Sequence, residues 1–585
     1  MKEKKYLVLG ITLILLTFVG VSLAYFLTTI EGDRKNITIN TSDLRVIFTN
    51  GDAIEGTEIE PGWSITKTFS VENKTKNEYK YNIVIEDLVN TFKTTGYLQY
   101  KITSTDGGYN MTDFMDVPKS SSATDTELAY SISIPSKSIQ NYTITIQYRN
   151  DENENQSIDA LNNAVVTGKL YISEGSNPTL TYAILRDNPT INERTDFSVT
   201  NTENTTGIIY KTNKTEDGSI VYYYSGNTTN NWVKFGKETI QECTYNGEEV
   251  HYLTYGTFTY NTGVYLKLVR NVVSNDECIS TNVCKSEYYG PIIGLTETEC
   301  GKVGTWTSDK ATAGNKVEND IYWRLIRTNE DGSIKMLYSG SNTDTTKGYI
   351  GISSFNLNSE NSMYVGYMYG TSGSLENNRT NENDSAIKKF IDTWYQDNLF
   401  TTYDKYISKT AIYCNDRSTQ NNSYSTSSFN YGATTRLDTN KTPTYKCGGD
   451  GNGGLFESTQ AIADKFSAST EGGGNGQLTY PIALMTADEL SFAGGRRSTD
   501  NTNAWYYNNS EGKSIMGDSS WWAMSPYYWG RYYDGVWVAG NSISFTNSFD
   551  GSAVRPSLSL SSCVKITGIG TPDDPYVVDY ENSCK

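Results

Sequence analysis

The chain has 585 residues, a net charge of −18 at pH 7 and a single histidine, His251. The acidic balance argues against nucleic acid and anionic lipid as partners. One histidine rules out His-rich metal centres and makes any Ser-His-Asp or Cys-His nucleophile depend on His251, which sits in an ordinary strand-like run; neither a His-Glu-x-x-His motif nor a phosphate-cradling Gly-Lys loop is present.

Three lysines within Met1–Lys5 precede Tyr6–Leu27, 22 residues without a charge, and Glu31 and Asp33 follow. That length matches the roughly 20 residues needed to cross a hydrocarbon core, and the flanking charges place the short end in the cytoplasm. Residues 1–30 therefore read as a signal peptide or a membrane anchor, with Ser22-Leu23-Ala24 offering a cleavage site. Everything beyond is expected outside the cell, secreted or held at the surface. No lipobox cysteine and no Leu-Pro-x-Thr-Gly motif supply another covalent anchor.

Residues 35–175 read as all-β. Tyr79, Tyr81, Ile83 and Ile85 alternate with Lys80, Asn82 and Val84, and Tyr142, Ile144, Ile146 and Tyr148 repeat the pattern. Period-two alternation marks strands with one face on a core. Pro61-Gly62 and Asp106-Gly107-Gly108 supply turns. Seven or eight such strands predict a two-sheet sandwich.

Residues 176–204 read as a linker to a second, α+β domain over 205–565. Its stretch 237–319 is a cysteine-rich insertion carrying Cys243, Cys278, Cys284 and Cys300. The other cysteines are Cys414, Cys447, Cys563 and Cys584. An even count in an exported chain predicts four disulfides: Cys414 with Cys447, Cys563 with Cys584 closing a tail at 566–585, and the first four among themselves. No Cys-x-x-Cys pair supports zinc. Trp323–Arg327 and Ile334–Tyr338 flank Asp331-Gly332 as a hairpin. A helix begins at Asp384 or Ser385, with Ile387, Ile391 and Trp394 inward and Lys388, Lys389 and Asp392 outward. A second starts at Thr486, with Asp488 and Glu489 in its first turn and Gly494-Gly495 ending it.

The stretch from Tyr527 to Asn541 carries the candidate ligand-binding residues Tyr527, Tyr528, Trp529, Arg531, Tyr532, Tyr533, Trp537 and Asn541. Aromatic faces stack on sugars and protein side chains and offer contact area at low entropic cost. The competing reading is a hairpin of cross-strand aromatic pairs. Asp450-Gly451-Asn452-Gly453-Gly454 with Glu457 lacks the spacing of a calcium loop and reads as a Gly-rich turn. No catalytic residue, metal ligand or cofactor is assigned, calcium being the one ion left open.

Two stretches carry family resemblances. Leu23-Ala24-Tyr25-Phe26, Glu60–Asn73 and Tyr142–Tyr148 with Asn155-Gln156-Ser157 resemble the camelysin and TasA-like biofilm-fibre proteins of Gram-positive bacteria, over residues 1–175. The resemblance implies a jelly-roll-like extracellular module able to join a fibre. Camelysin-like proteins are classed as metallopeptidases, an activity that a histidine-free domain argues against. Tyr322–Arg327, Leu478–Ile482, Thr486–Glu489, Trp522–Pro526 and Val554-Arg555-Pro556 resemble a domain of unknown function in surface proteins of gut-associated Firmicutes. That domain is similar in layout to the C-type lectin and formylglycine-generating-enzyme superfamily. The resemblance implies ligand-facing loops around 527–541, a region that some members diversify. The sugar-binding triplets Glu-Pro-Asn and Trp-Asn-Asp are absent, and an oxidase would need a free thiol that paired cysteines do not offer. The expectation is a non-enzymatic cell-surface adhesin or ligand-binding protein, its head binding a glycan or protein on another cell or matrix, with the N-terminal helix in the membrane. The alternatives are a fibre subunit of a biofilm matrix, self-associating through the sandwich, and a formylglycine-generating-type oxidase.

Overall fold

A computed structural model describes residues 60–245 and 311–584, apart from 93–95, 152–155, 157–163, 372–379, 421–427, 449–462, 473, 475, 517–519 and 531–532. It also describes the backbone of separate strands between 27 and 56 and between 248 and 307. The anchor segment 6–26, Cys278, Cys284, Cys300 and the Gly-rich stretch 450–457 lie outside the described residues, and Cys243 is described by its backbone only. Among the described residues no helix is long and apolar enough to cross a membrane. The chain is mainly β and divides into two units, Met1–Pro178 and Thr179–Lys585.

The first unit is a two-sheet sandwich. Its strands are β1 (Leu27–Glu31), β2 (Ile37–Thr41), β3 (Leu44–Asn50), β4 (Ile54–Gly56), β5 (Ser64–Asn73), β6 (Tyr79–Asn90), β7 (Leu98–Ser104), β8 (Met115–Asp116), β9 (Ser120–Ile134), β10 (Ile139–Tyr148) and β11 (Val165–Glu174). One sheet runs β4-β1-β11-β6-β9 and the other β2-β3-β5-β10-β7-β8. Tyr81, Ile83 and Ile85 from the first sheet meet Tyr142, Ile144 and Ile146 from the second in one core. Alternation along β10 is complete, every second residue from Gln140 to Tyr148 being buried. Ile144 and Ile146 each contribute about 1.5–3 kcal/mol on leaving water. Gly62 (φ +96°) takes the left-handed backbone that the turn before β5 needs.

Three expectations change here. β1 pairs in parallel with β11 from Leu27↔Val165 to Glu31↔Lys169, so the sandwich begins before residue 35 and takes in the end of the apolar segment. Among the described residues eleven strands replace seven or eight. Asn82 is buried, not outward, because its Oδ1 accepts from the Ser131 and Ser176 backbone amides while its Nδ2 donates to the Glu174 carbonyl.

In the second unit Trp232–Tyr245 pairs antiparallel with Ala311–Thr328. The latter turns at Gly332 (φ +78°) into Ile334–Tyr338, the hairpin that the Asp-Gly pair predicts. Pro556–Leu560 and Ile482–Leu484 continue this sheet. A second sheet joins Gly351–Ser354, Gly551–Val554, Trp521–Gly530, Tyr533–Ala539 and Ile543–Thr546. Both sheets contribute to one aromatic-rich core.

Helix α1 (Leu180–Asp187) overturns the linker: the Thr179 hydroxyl caps it, and Leu180, Ala183 and Ile184 enter the core. Helix α2 (Ala386–Tyr395) is capped by Ser385 and buries Ile387, Ile391 and Trp394, as periodicity predicts. Lys388, expected outside, is fully buried because its ammonium has carboxylates on both sides, 3.2 Å from Asp384 and 2.6 Å from Asp392. Helix α3 (Ala487–Phe492) opens on a full capping box between Thr486 and Glu489, and Gly494 (φ +110°) follows its end. The tail is integral rather than appended: Tyr576–Val578 pairs in parallel with the 232–245 strand, and Ile566, Tyr576 and Val578 are core residues. The disulfides Cys414–Cys447 and Cys563–Cys584 form as expected.

Candidate functional site

The aromatic stretch at 527–541 folds as the hairpin between Trp521–Gly530 and Tyr533–Ala539. Trp537 is fully buried and Trp529 is 7% exposed, both within the core. Tyr527 is half-buried, stacked on Phe545 at 4.0 Å, edge-on to Trp537 at 5.0 Å and covered by the Arg497 guanidinium at 4.9 Å. These pairs occupy the ring faces that would have stacked on a ligand, so Trp529 and Trp537 are corrected from contact residues to core residues. Arg531 and Tyr532 lie outside the described residues, and Tyr533 is described by its backbone alone. Tyr528, half-buried, and Asn541, exposed, are the remaining candidates with described side chains. Within the hairpin Asp534 is fully buried, and burial pushes its carboxyl up to about 7 despite hydrogen bonds from the Ser548 amide and hydroxyl.

A different site is built where α3 starts. A cavity of about 240 Å³ has walls from the Asp331 hairpin, the 410–416 segment, the 436–446 segment and the first turn of α3. Thr410, Ile412, Cys414 and Asp416 all line it, because alternate residues of an extended chain share a face. Glu489 is the centre of one wall. Its carboxylate accepts from Lys335 Nζ at 2.8 and 2.9 Å, from Arg327 Nε at 3.1 Å and from the Thr486 amide at 2.9 Å. Burial would raise this carboxyl, but Lys335, Arg327 and the cap hydrogen bonds outweigh burial and hold it below the usual range. Burial in turn lowers the Lys335 ammonium, against the pull of Glu489.

Arg436 builds the adjoining part of the wall as a fork. Its Nε and Nη2 donate to the two oxygens of Asp488 at 3.1 and 2.9 Å, and its Nη1 donates to Asp416 at 2.7 Å. The Thr444 amide also donates to Asp488, at 3.0 Å. The Tyr445 ring lies 4.4 Å under the Arg327 guanidinium and the Tyr413 ring 5.1 Å under Lys335. The Cys414–Cys447 disulfide pins the 410–416 and 436–447 segments together at the cavity's edge. Glu216, Asp217, Glu330 and Asp331 stand around the same cavity with Lys446 and Lys465. Burial works to raise the Asp331 carboxyl, but the hydroxyls of Ser333, Thr410 and Ser408 bond it and keep it low.

Every buried charge in these walls is paired across segments far apart in sequence, which fixes the side chains before any ligand arrives. Cys414 is oxidised and offers no thiolate. Among the described residues no group of three His, Cys, Asp or Glu is placed to hold a metal ion. The capping box at Thr486–Glu489 is the sequence signal that leads here. Its role in a cavity wall was invisible, since Lys335 and Arg327 stand more than 150 residues away from Glu489.

No family model and no curated protein matches the chain. One of the solved structures it is similar to is described as "AvmM Catalyzes Macrocyclization in Alchivemycin A Biosynthesis", at 9% identity over 25% of this chain and 98% of that one. Its TM-score of 0.12 carries no argument about fold or activity.

Proposed function

We propose that this chain is a bacterial cell-surface adhesin or ligand-binding protein, in which the sandwich serves as a stalk and the second unit as a recognition head. The TasA-like identity of the sandwich, the C-type-lectin-like identity of the head and the N-terminal membrane anchor belong to this proposal and rest on the motifs quoted above. Two disulfides agree with an oxidising compartment outside the cytoplasm. The observation that carries the reading is the preformed charged cavity, whose walls are held by buried ion pairs and a disulfide. A concave site with a few fixed polar groups is the usual form of a small-ligand or side-chain pocket.

Glycan and protein arrays probed with the full chain test it. Ile412→Trp, which fills the cavity from a half-buried position, should abolish whatever the native chain captures. Loss confined to a Tyr528→Ala/Asn541→Ala variant would return the site to the hairpin, and an array that captures nothing would refute the recognition role.

A fibre subunit is the second reading, favoured by β9, whose 15 residues end their sheet. Against it, the pairing of β9 with β6 shifts register four times, a device that blunts edges against sheet extension. Electron microscopy of the purified protein distinguishes the two, since only the fibre reading requires filaments.

A further inference from the structure

Two buried polar atoms on residues lining the cavity lack a hydrogen-bond partner among the described residues, the Tyr445 hydroxyl and Asn329 Oδ1, and only the second is purely an acceptor. Asn329 is 7% exposed. Its Nδ2 donates to the hydroxyls of Ser333 at 2.9 Å and Ser559 at 3.0 Å, and because the Ser333 hydroxyl gives its own proton to Asp331 it can only accept from the amide, which fixes the amide's orientation. Its Oδ1 has no hydrogen-bond partner among the described residues. A buried acceptor left in that state is destabilising, so it marks a place for a donor.

Charge says what kind of donor. In the buried walls Arg327, Lys335 and Arg436 balance Asp416, Asp488 and Glu489, three against three. Around them four carboxylates, Glu216, Asp217, Glu330 and Asp331, face two ammonium groups, Lys446 and Lys465. The cavity therefore carries an excess of two negative charges. The buried cations already donate to wall carboxylates, so an incoming anion would meet repulsion from the carboxylates. An incoming cation meets the unpartnered Asn329 Oδ1 and the exposed carboxylates at the rim.

We infer that this cavity takes a cationic hydrogen-bond donor, a primary ammonium or guanidinium, seated at Asn329 Oδ1 with Glu330 and Asp217 supplying the charge. The inference rests on the recognition role proposed above and names the chemistry of its ligand. Such a group comes either from a basic peptide side chain or from an amino sugar, and the two sources are separable by experiment.

The full chain is titrated calorimetrically with Nα-acetyl-lysine amide and Nα-acetyl-arginine amide, against the neutral Nα-acetyl-norleucine amide, and with glucosamine against N-acetylglucosamine. At least one cationic probe should bind, its neutral counterpart should not, and raising the salt should weaken binding. Binding of a peptide-type probe or of glucosamine assigns the source. Glu330→Gln, which removes a carboxylate at the exposed rim, should weaken binding about fivefold, as should Asp217→Asn. Asn329→Asp should tighten it, a gain that a misfolded protein cannot produce. Equal binding of the neutral counterparts, or unchanged affinity in both carboxylate variants, overturns the inference. If Ile412→Trp abolishes array binding while no cationic probe binds, this inference falls and the recognition role stands. If the arrays also capture nothing, both fall.

Discussion

Glu489→Gln is the sharpest perturbation of the cavity wall. Glutamine keeps an oxygen for the Thr486 amide but removes the charge, leaving Lys335 and Arg327 with no carboxylate on that side. At the observed 2.8 Å the gross attraction between Lys335 and Glu489 is about 6 kcal/mol for an effective dielectric of about 20. The desolvation of two ions offsets much of it, but a lone buried charge keeps the penalty without the attraction, and removing one partner costs about 3–5 kcal/mol. The expected loss is in that range at pH 7. Lys335→Met should cost less, because Glu489 keeps Arg327 at 3.1 Å. The double variant should fall short of the sum by more than about 1 kcal/mol, since both changes remove one interaction. Urea unfolding followed by tryptophan fluorescence measures this selectively, as nine of the ten tryptophans lie in the second unit. The sign with pH is a second check. The Glu489 carboxyl is held below its unfolded value, so its contribution is complete above about pH 4.5 and is lost as pH falls through the folded pKa. The gap between wild type and Glu489→Gln should therefore narrow below pH 4. A cost under about 1 kcal/mol at pH 7, or strict additivity in the cycle, would refute a paired, water-excluded wall.

Asp534 gives the opposite sign: with its carboxyl raised to about 7, the folded state keeps a proton that the unfolded chain releases, so stability falls between about pH 4 and 7 and then levels. Asp534→Asn should flatten that slope in melting curves between pH 4 and 8. Replacing Cys414 and Cys447 by serine should destabilise the head by about 3–4 kcal/mol, since the bond closes a 33-residue loop, and should weaken any array signal by freeing a cavity wall. Trp537→Ala should cost about 3–5 kcal/mol in the same unfolding assay, whereas Asn541→Ala should change stability by less than about 0.5 kcal/mol. Ser385→Ala should cost about 1 kcal/mol through the lost cap of α2, detectable as a lowered melting temperature.

Local signals proved legible wherever the physics is local. Period-two alternation found the core face of β10, Asp331-Gly332 found its hairpin, and Ser385 and Thr486 found their helix starts. The pairing of Cys414 with Cys447 and of Cys563 with Cys584 followed from chain order. Polar residues defeated the same rules. Lys388 and Asn82 read as outward on helix and strand, yet neighbouring segments bring carboxylates to one and backbone amides to the other. Aromatic density at 527–541 signalled a strand pair but not its solvent side, because stacking on Phe545 and burial of Trp537 depend on what the rest of the sheet presents.

The β10 strand, the Asp331-Gly332 turn, two helix starts and two disulfides were thus determined by the sequence alone, since each depends on backbone preference or on spacing along a few neighbouring residues. The cavity was decided only by tertiary structure. Glu489, Lys335, Arg327, Arg436 and Asp416 reach it from five separate segments. Burying a charge is favourable only when its partner is already in place, and that condition is met by the folded chain and by no stretch of it alone.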